Sequence, residues 1–154
     1  MQVYLLRHAH SLQNAGKDMP NCGLSKLGKK QCKNLARQLG NIHFDHVLSS
    51  PLLRCQETLR LSKISYTNFR SVDLLREYKE DLCDFFHDET PFQKETISEF
   101  KSRVQLLDSW FHDFCKHISE NEKQPINILI IAHYNVFYYW KNMPLENAEI
   151  IHEE

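Results

Sequence analysis

The sequence has no surplus of either charge: nineteen lysines and arginines face twenty acidic residues, for a net charge of −1. No global field therefore draws the chain to nucleic acid or to an anionic membrane, and any anion site must come from a local cluster. A C-x-x-C pair is missing, and the five cysteines (Cys22, Cys32, Cys55, Cys83 and Cys115) are scattered and odd in number. That pattern argues against a disulfide framework or a zinc site and suits a reducing compartment. The expectation is a cytoplasmic protein with unpaired thiols, Cys22 among them as an inert loop residue. No apolar run approaches the roughly 20 residues needed to span a bilayer, and Met1 to Leu6 runs straight into Arg7 rather than continuing as a leader. Repeats, low-complexity tracts and linkers are also missing. A chain of 154 residues suits one domain, so residues 1–154 are expected to fold as a single unit.

What is present alternates between strand and helix. Val3-Tyr4-Leu5-Leu6 reads as a buried strand, and a polar loop through Asn14, Gly16, Pro20 and Gly23 follows. Ser25 can cap a helix over 26–39 with Gly40 as its stop. Phe44 to Ser49 reads as a second strand, and Pro51 is placed to open a helix running to about Leu61. Val72 to Leu75 reads as a third strand, and Tyr78 to Glu95 as an irregular excursion. Phe100, Val104, Leu107, Phe111, Phe114 and Ile118 form an apolar stripe at helical spacing. Ile126 to Ala132 is the strongest strand signal, apolar on both faces as a central parallel strand should be. A helix over 135–141 and an edge strand over 148–151 complete the pattern, with the dense aromatic group Tyr134, Phe137, Tyr138, Tyr139 and Trp140 serving mainly as core and leaving a homodimer contact open. The implied fold is α/β, a three-layer α/β/α sandwich with a mostly parallel central sheet.

Ligands of such sheets bind beyond the carboxyl ends of the strands. Three strand ends carry polar chemistry: Arg7-His8, Ser50 to Arg54, and His133. Two arginines suit a phosphate, because the guanidinium fork matches its oxygens and keeps its charge. A neutral histidine among them is a phosphoryl acceptor, and a second supplies charge or a donor to the transferring oxygens. A carboxylic acid must protonate the leaving oxygen, and Glu77 is the candidate, with Glu80, Asp81, Asp84 and Asp88 as rivals. An H-x-H metal pair of His8 and His10 is the competing reading, without a third ligand to support it.

The same residues carry a resemblance. Arg7-His8 with Asn14 downstream, Leu24-Ser25-Lys26-Leu27-Gly28-Lys29-Lys30-Gln31, the block Ser49-Ser50-Pro51-Leu52-Leu53-Arg54-Cys55-Gln56-Glu57-Thr58, Leu75-Arg76-Glu77, Glu95 with Arg103, and Ile130-Ile131-Ala132-His133 resemble, in order, the motifs of the histidine phosphatase superfamily, also called phosphoglycerate mutase-like. The resemblance implies that His8 accepts the phosphoryl group, that Arg7, Asn14, Arg54 and His133 bind it, and that Glu77 is proton donor and then base. It implies no metal and no cofactor, and a phosphorylated small molecule or phosphoprotein as substrate. Hydrolysis is expected over mutase chemistry, because the chain is short and has no capping insertion. A phosphoglycerate mutase-type transferase, a phosphohistidine phosphatase and a catalytically weak phosphate-binding protein are the alternatives. Two departures stand out: Ala9 follows the first histidine where glycine is usual, and Tyr134 follows the second. A positive φ at that second position would strain a tyrosine.

Overall fold

The structure is a computed structural model that describes residues 1–153. Five strands form one sheet in the order β3-β2-β4-β1-β5. β1 (Gln2–Arg7), β2 (His43–Ser49), β3 (Ser65–Ser71) and β4 (Asn127–Ala132) are parallel, and β5 (Ile150–Glu153) runs antiparallel against β1. α1 (Lys26–Leu39) and α2 (Leu53–Leu61) connect the first three strands, whereas α3 (Ile97–Asn121) and α4 (Tyr134–Lys141) flank β4.

The alternation of side chains along the central strands sorts the core into two halves. Leu5, Leu48, Ile128 and Ile130 pack against α3 and α4 through Phe100, Val104, Leu107 and Phe137. Leu6, Val47, Leu129 and Ile131 pack against α1 and α2 through Leu35, Leu39, Cys55 and Leu59. Helices therefore cover both faces, which gives the expected three layers. Five of the six β4 side chains are buried, each aliphatic one contributing about 1.5–3 kcal/mol, so this strand anchors the sheet.

Local signals set the helix starts. Ser25 Oγ accepts the Gly28 N–H at the head of α1, and Thr96 Oγ1 accepts the Glu99 N–H at the head of α3. α2 begins at Leu53 behind an N-cap at Leu52, so Pro51 lies outside the helix it was expected to open.

Two expectations are corrected here. The third strand is Ser65–Ser71, and Asp73–Leu75 is instead a 3₁₀ turn. β3 is an edge strand whose residues are all exposed, so it carries no apolar run to betray it. Val72 and Leu75 are apolar because they tuck into the core beneath α3. The last strand lies two residues later than expected, because Ala148 turns with a φ of 60° before Ile150 joins β1.

Candidate active site

Parallel register brings the strand ends side by side. Arg7 pairs with Ala132 and Ser49 with Ile131, so His8, Ser50 and His133 emerge together at the carboxyl edge of β1, β2 and β4. The His8 and His133 rings lie 5.1 Å apart between centroids, tilted by 59°. His8, Arg54 and His133 are buried, Arg7 and Glu77 are half-buried, and Asn14 lies exposed at the rim.

His8 Nδ1 lies 2.8 Å from the Ala9 carbonyl oxygen, which only accepts, so in the neutral ring Nδ1 carries the proton. Nε2 is then left with its lone pair. Burial, reinforced by Arg54 and Arg7, holds His8 well below the usual histidine range, so the ring is neutral at pH 7. His133 is lowered for the same reasons, with His8 as a further contributor. Its Nε2 pairs with Ser50 Oγ at 2.8 Å, and its Nδ1 is buried with no partner.

The sequence block from Ser50 to Thr58 acts three times over in this site. Ser50 holds His133; Arg54 enters from the first turn of α2; and Thr58 Oγ1 accepts the Ala9 N–H at 3.0 Å while donating to the Arg54 carbonyl at 2.7 Å. The motif around Gly28 has an equally local cause. A Cβ at Gly28 would fall on the carbonyl oxygen of His10, so only glycine lets α1 lie against this loop. Gln31 Oε1 then accepts the His10 N–H at 2.8 Å, and the His10 ring turns to Ser25 Oγ at 2.7 Å. His8 and His10 thus face different neighbours. Among the described residues no cluster of three or more His, Cys, Asp or Glu side chains is arranged to hold a metal ion.

Glu77 reaches the head of α4. Its Oε1 accepts the Tyr78 N–H at 2.8 Å and its Oε2 the Asn135 N–H at 3.3 Å. Burial pushes the carboxyl up to about 7, against the pull of these hydrogen bonds and of Arg54. A group titrating there gives and takes protons at neutral pH. Arg103 clamps the segment that presents it, donating to the carbonyls of Leu74, Arg76 and Glu77 at 3.0, 2.6 and 3.1 Å and to the Glu95 carboxylate. Of the rival acids, Asp84 is tied to Arg54, while Asp81 hydrogen-bonds Gln13 at 2.6 Å.

Arg7 donates through Nη1 to the Leu145 carbonyl at 2.9 Å, and its guanidinium lies 5.3 Å from the centre of the Tyr134 ring. Tyr134 is the first residue of α4 and is not among the positive-φ positions, so the departure from glycine brings no backbone strain. Asn14 Oδ1 accepts from the Ser11 N–H and Oγ–H, both at 3.0 Å.

Several contributors went unnoticed in the sequence. Asn147 Nδ2 reaches both the His8 carbonyl at 3.2 Å and Asn14 Oδ1 at 3.3 Å, and no motif announces it. Asp84, expected only as a rival to Glu77, instead holds Arg54 in a buried ion pair at 2.8 Å. The expectation of unpaired cysteines is corrected as well: Cys22 and Cys83 form a disulfide, 61 residues apart, beside Arg54. Their sequence separation hides the meeting of two loops over the strand ends. Cys32, Cys55 and Cys115 are free, and burial pushes Cys55, next to His133, up to about 12.

Comparison with known proteins bears on the family and the fold. The family description "histidine phosphatase superfamily (branch 1)" matches residues 3–151. A comparison with curated protein sequences finds no match. Among solved structures, a candidate α-ribazole-5′-P phosphatase of Escherichia coli K-12 superposes with a TM-score of 0.76 at 21% identity, covering 99% of this chain and 89% of that one. A phosphoglycerate mutase of Bacillus anthracis gives 0.71 at 16% identity, covering 99% and 86%. A mycobacterial glucosyl-3-phosphoglycerate phosphatase solved with VO3 gives 0.67 at 17% identity, covering 98% and 90%. At such identities the likeness shows the fold.

Proposed function

The chain belongs to branch 1 of the histidine phosphatase superfamily, and from that premise we propose that it is a phosphomonoesterase working through a phosphohistidine on His8. One observation carries the reading. Among the described residues five buried side-chain polar atoms lack a partner, and three of them, Arg7 Nε, Arg54 Nε and His133 Nδ1, belong to the residues grouped around His8. Orphaned buried polar atoms are costly unless something fills them, and three beside a free imidazole lone pair suit a phosphoryl group.

In the first step His8 Nε2 attacks phosphorus and the bond to the leaving oxygen breaks, with Glu77 delivering the proton to that oxygen. In the second, Glu77 takes a proton from water, whose oxygen attacks the phosphohistidine and releases inorganic phosphate and free His8. Arg7, Arg54 and His133 stabilise the charge on the equatorial oxygens, and Asn14 adds its amide from the rim. Fixed positive charge of this kind supports a metal-independent reaction. The substrate is a phosphorylated metabolite or a phosphoprotein. Among the described residues no helix is long and apolar enough to cross a membrane.

The test is turnover of p-nitrophenyl phosphate by the wild type and His8→Ala, with and without chelator. The reading expects hydrolysis that survives chelation and falls by more than about 10³-fold in the variant. Equal rates for the two proteins would remove His8 from the reaction.

A further inference from the structure

Both terminal nitrogens of Arg54 end on one short turn, Leu82–Asp84. Nη1 donates to the Cys83 carbonyl at 2.8 Å, with Cys83 Sγ at 3.2 Å, and Nη2 donates to Asp84 Oδ1 at 2.8 Å. Only Nε of this guanidinium remains without a partner. The position of Arg54 is thus as good as the position of that turn.

The turn lies in the irregular stretch between the 3₁₀ turn at Asp73–Leu75 and α3, and is held from across the site mouth. Asp18 accepts the N–H groups of Leu82 and Cys83 at 3.2 and 3.0 Å, and Gln13 donates to Asp81 at 2.6 Å. Asp18 and Asp81 are exposed, where such bonds contribute about 0.5–1.5 kcal/mol each. The covalent tie between the two segments is Cys22–Cys83.

We propose that Cys22 and Cys83 form a reversible thiol–disulfide site that sets the seat of Arg54, so that the affinity of the His8 pocket for phosphoryl groups follows its redox state. The inference rests on the reading of Arg54 as a phosphate ligand. A dithiol reductant performs the exchange. One of its thiolates attacks a bridge sulfur and displaces the other cysteine as a thiolate, and its second thiol then resolves the mixed disulfide. Two electrons and two protons pass to Cys22 and Cys83, and the reductant leaves as a disulfide. In a reducing compartment a bridge of this kind is transient rather than permanent. Both sulfurs are buried, so exchange proceeds through opening of the loop around residues 14–19, whose residues are exposed. The disulfide holds the turn in place and the pocket binds; the dithiol form releases the turn, and Arg54 loses its seat.

The experiment uses the full chain equilibrated in oxidised or reduced dithiothreitol without denaturant. Free thiols are counted, and vanadate affinity is read both by tryptophan fluorescence and by inhibition of p-nitrophenyl phosphate hydrolysis. Reduction should raise the total, counted after acid quenching and unfolding, from the three free cysteines to all five and weaken vanadate binding about tenfold, with reoxidation restoring both. Cys22→Ser, which leaves the Cys83 carbonyl and Asp84 intact, should sit at the reduced value and ignore the redox buffer. Equal affinity in the two states overturns the proposal, as does a bridge that yields only in denaturant. His8-dependent turnover with redox-independent affinity defeats this inference alone, whereas no vanadate binding in either state defeats the phosphatase reading with it.

Discussion

Replacing Glu77 by glutamine should make the protein more stable at alkaline pH while disabling it. The carboxyl is pushed up to about 7 from an ordinary 4.5, chiefly by burial. A folded state that binds the proton more tightly than the unfolded chain loses stability as pH rises, here from about 4.5 through 7. The span corresponds to roughly 3 kcal/mol at 1.36 kcal/mol per pH unit. Glutamine carries no charge to desolvate, but its amide has one carbonyl oxygen where the carboxylate uses two, for Tyr78 and Asn135. Losing one of those acceptors costs about 1 kcal/mol. The net expectation at pH 8 is a gain of about 2 kcal/mol, or about 4–8 °C in melting temperature for a chain of this size. Near pH 4.5, where the wild-type carboxyl is already neutral, the variant should be the less stable protein by about 1 kcal/mol. Thermal melts of both proteins at half-unit steps from pH 4.5 to 8.5 should therefore cross. Hydrolysis of an alkyl phosphate, whose leaving group needs a proton, should fall at least about 10²-fold. Melting curves that stay parallel across the pH range, or a variant destabilised at pH 8, would refute the picture of a desolvated acid at the head of α4.

Gly28→Ala places a methyl group on the His10 carbonyl oxygen and must shift α1 or the loop after β1, so urea unfolding should show a loss of about 1–3 kcal/mol and turnover should fall with it. Arg103→Ala strips the donor from three carbonyls and leaves Glu95 unpaired, at a cost of about 3–5 kcal/mol by the same measurement. Arg103→Lys should recover part of that stability but little of kcat, because an ammonium does not reproduce the planar fork that presents Glu77.

The parts of the molecule that sequence reveals are those with a local cause. β4 announces itself because it is buried on both faces, and α3 because its stripe recurs at helical spacing. The block from Ser50 to Thr58 is legible because the end of β2 and the first two turns of α2 deliver its hydroxyls and guanidinium to a single place. β3 is illegible for the opposite reason: its stability comes from pairing with β2, and Ser65–Ser71 has neither alternation nor an apolar run. The apolar residues that follow it mislead, since Val72 and Leu75 are buried in the core under α3 without belonging to a strand. The seat of Arg54 and the bridge between Cys22 and Cys83 depend on two irregular segments meeting in space, which no periodicity encodes. Asn147 is a single polar residue in a turn, meaningful only once β5 has folded back on β1.

That folding back has a consequence for how the protein is made. Among the described residues the strands paired with β1 are β4 and β5, and the N–H of Ala148 closes onto the carbonyls of Arg7 and His8. β1 thus precedes both of its partners by more than a hundred residues in the chain and is synthesised well before either of them. At ordinary synthesis rates Val3-Tyr4-Leu5-Leu6 waits on the order of ten seconds as an apolar segment with both edges open. The loop after β1 lacks its contacts from Asn147 and Ala148 for the same interval, so the backbone around His8 is completed only when the C-terminal segment arrives.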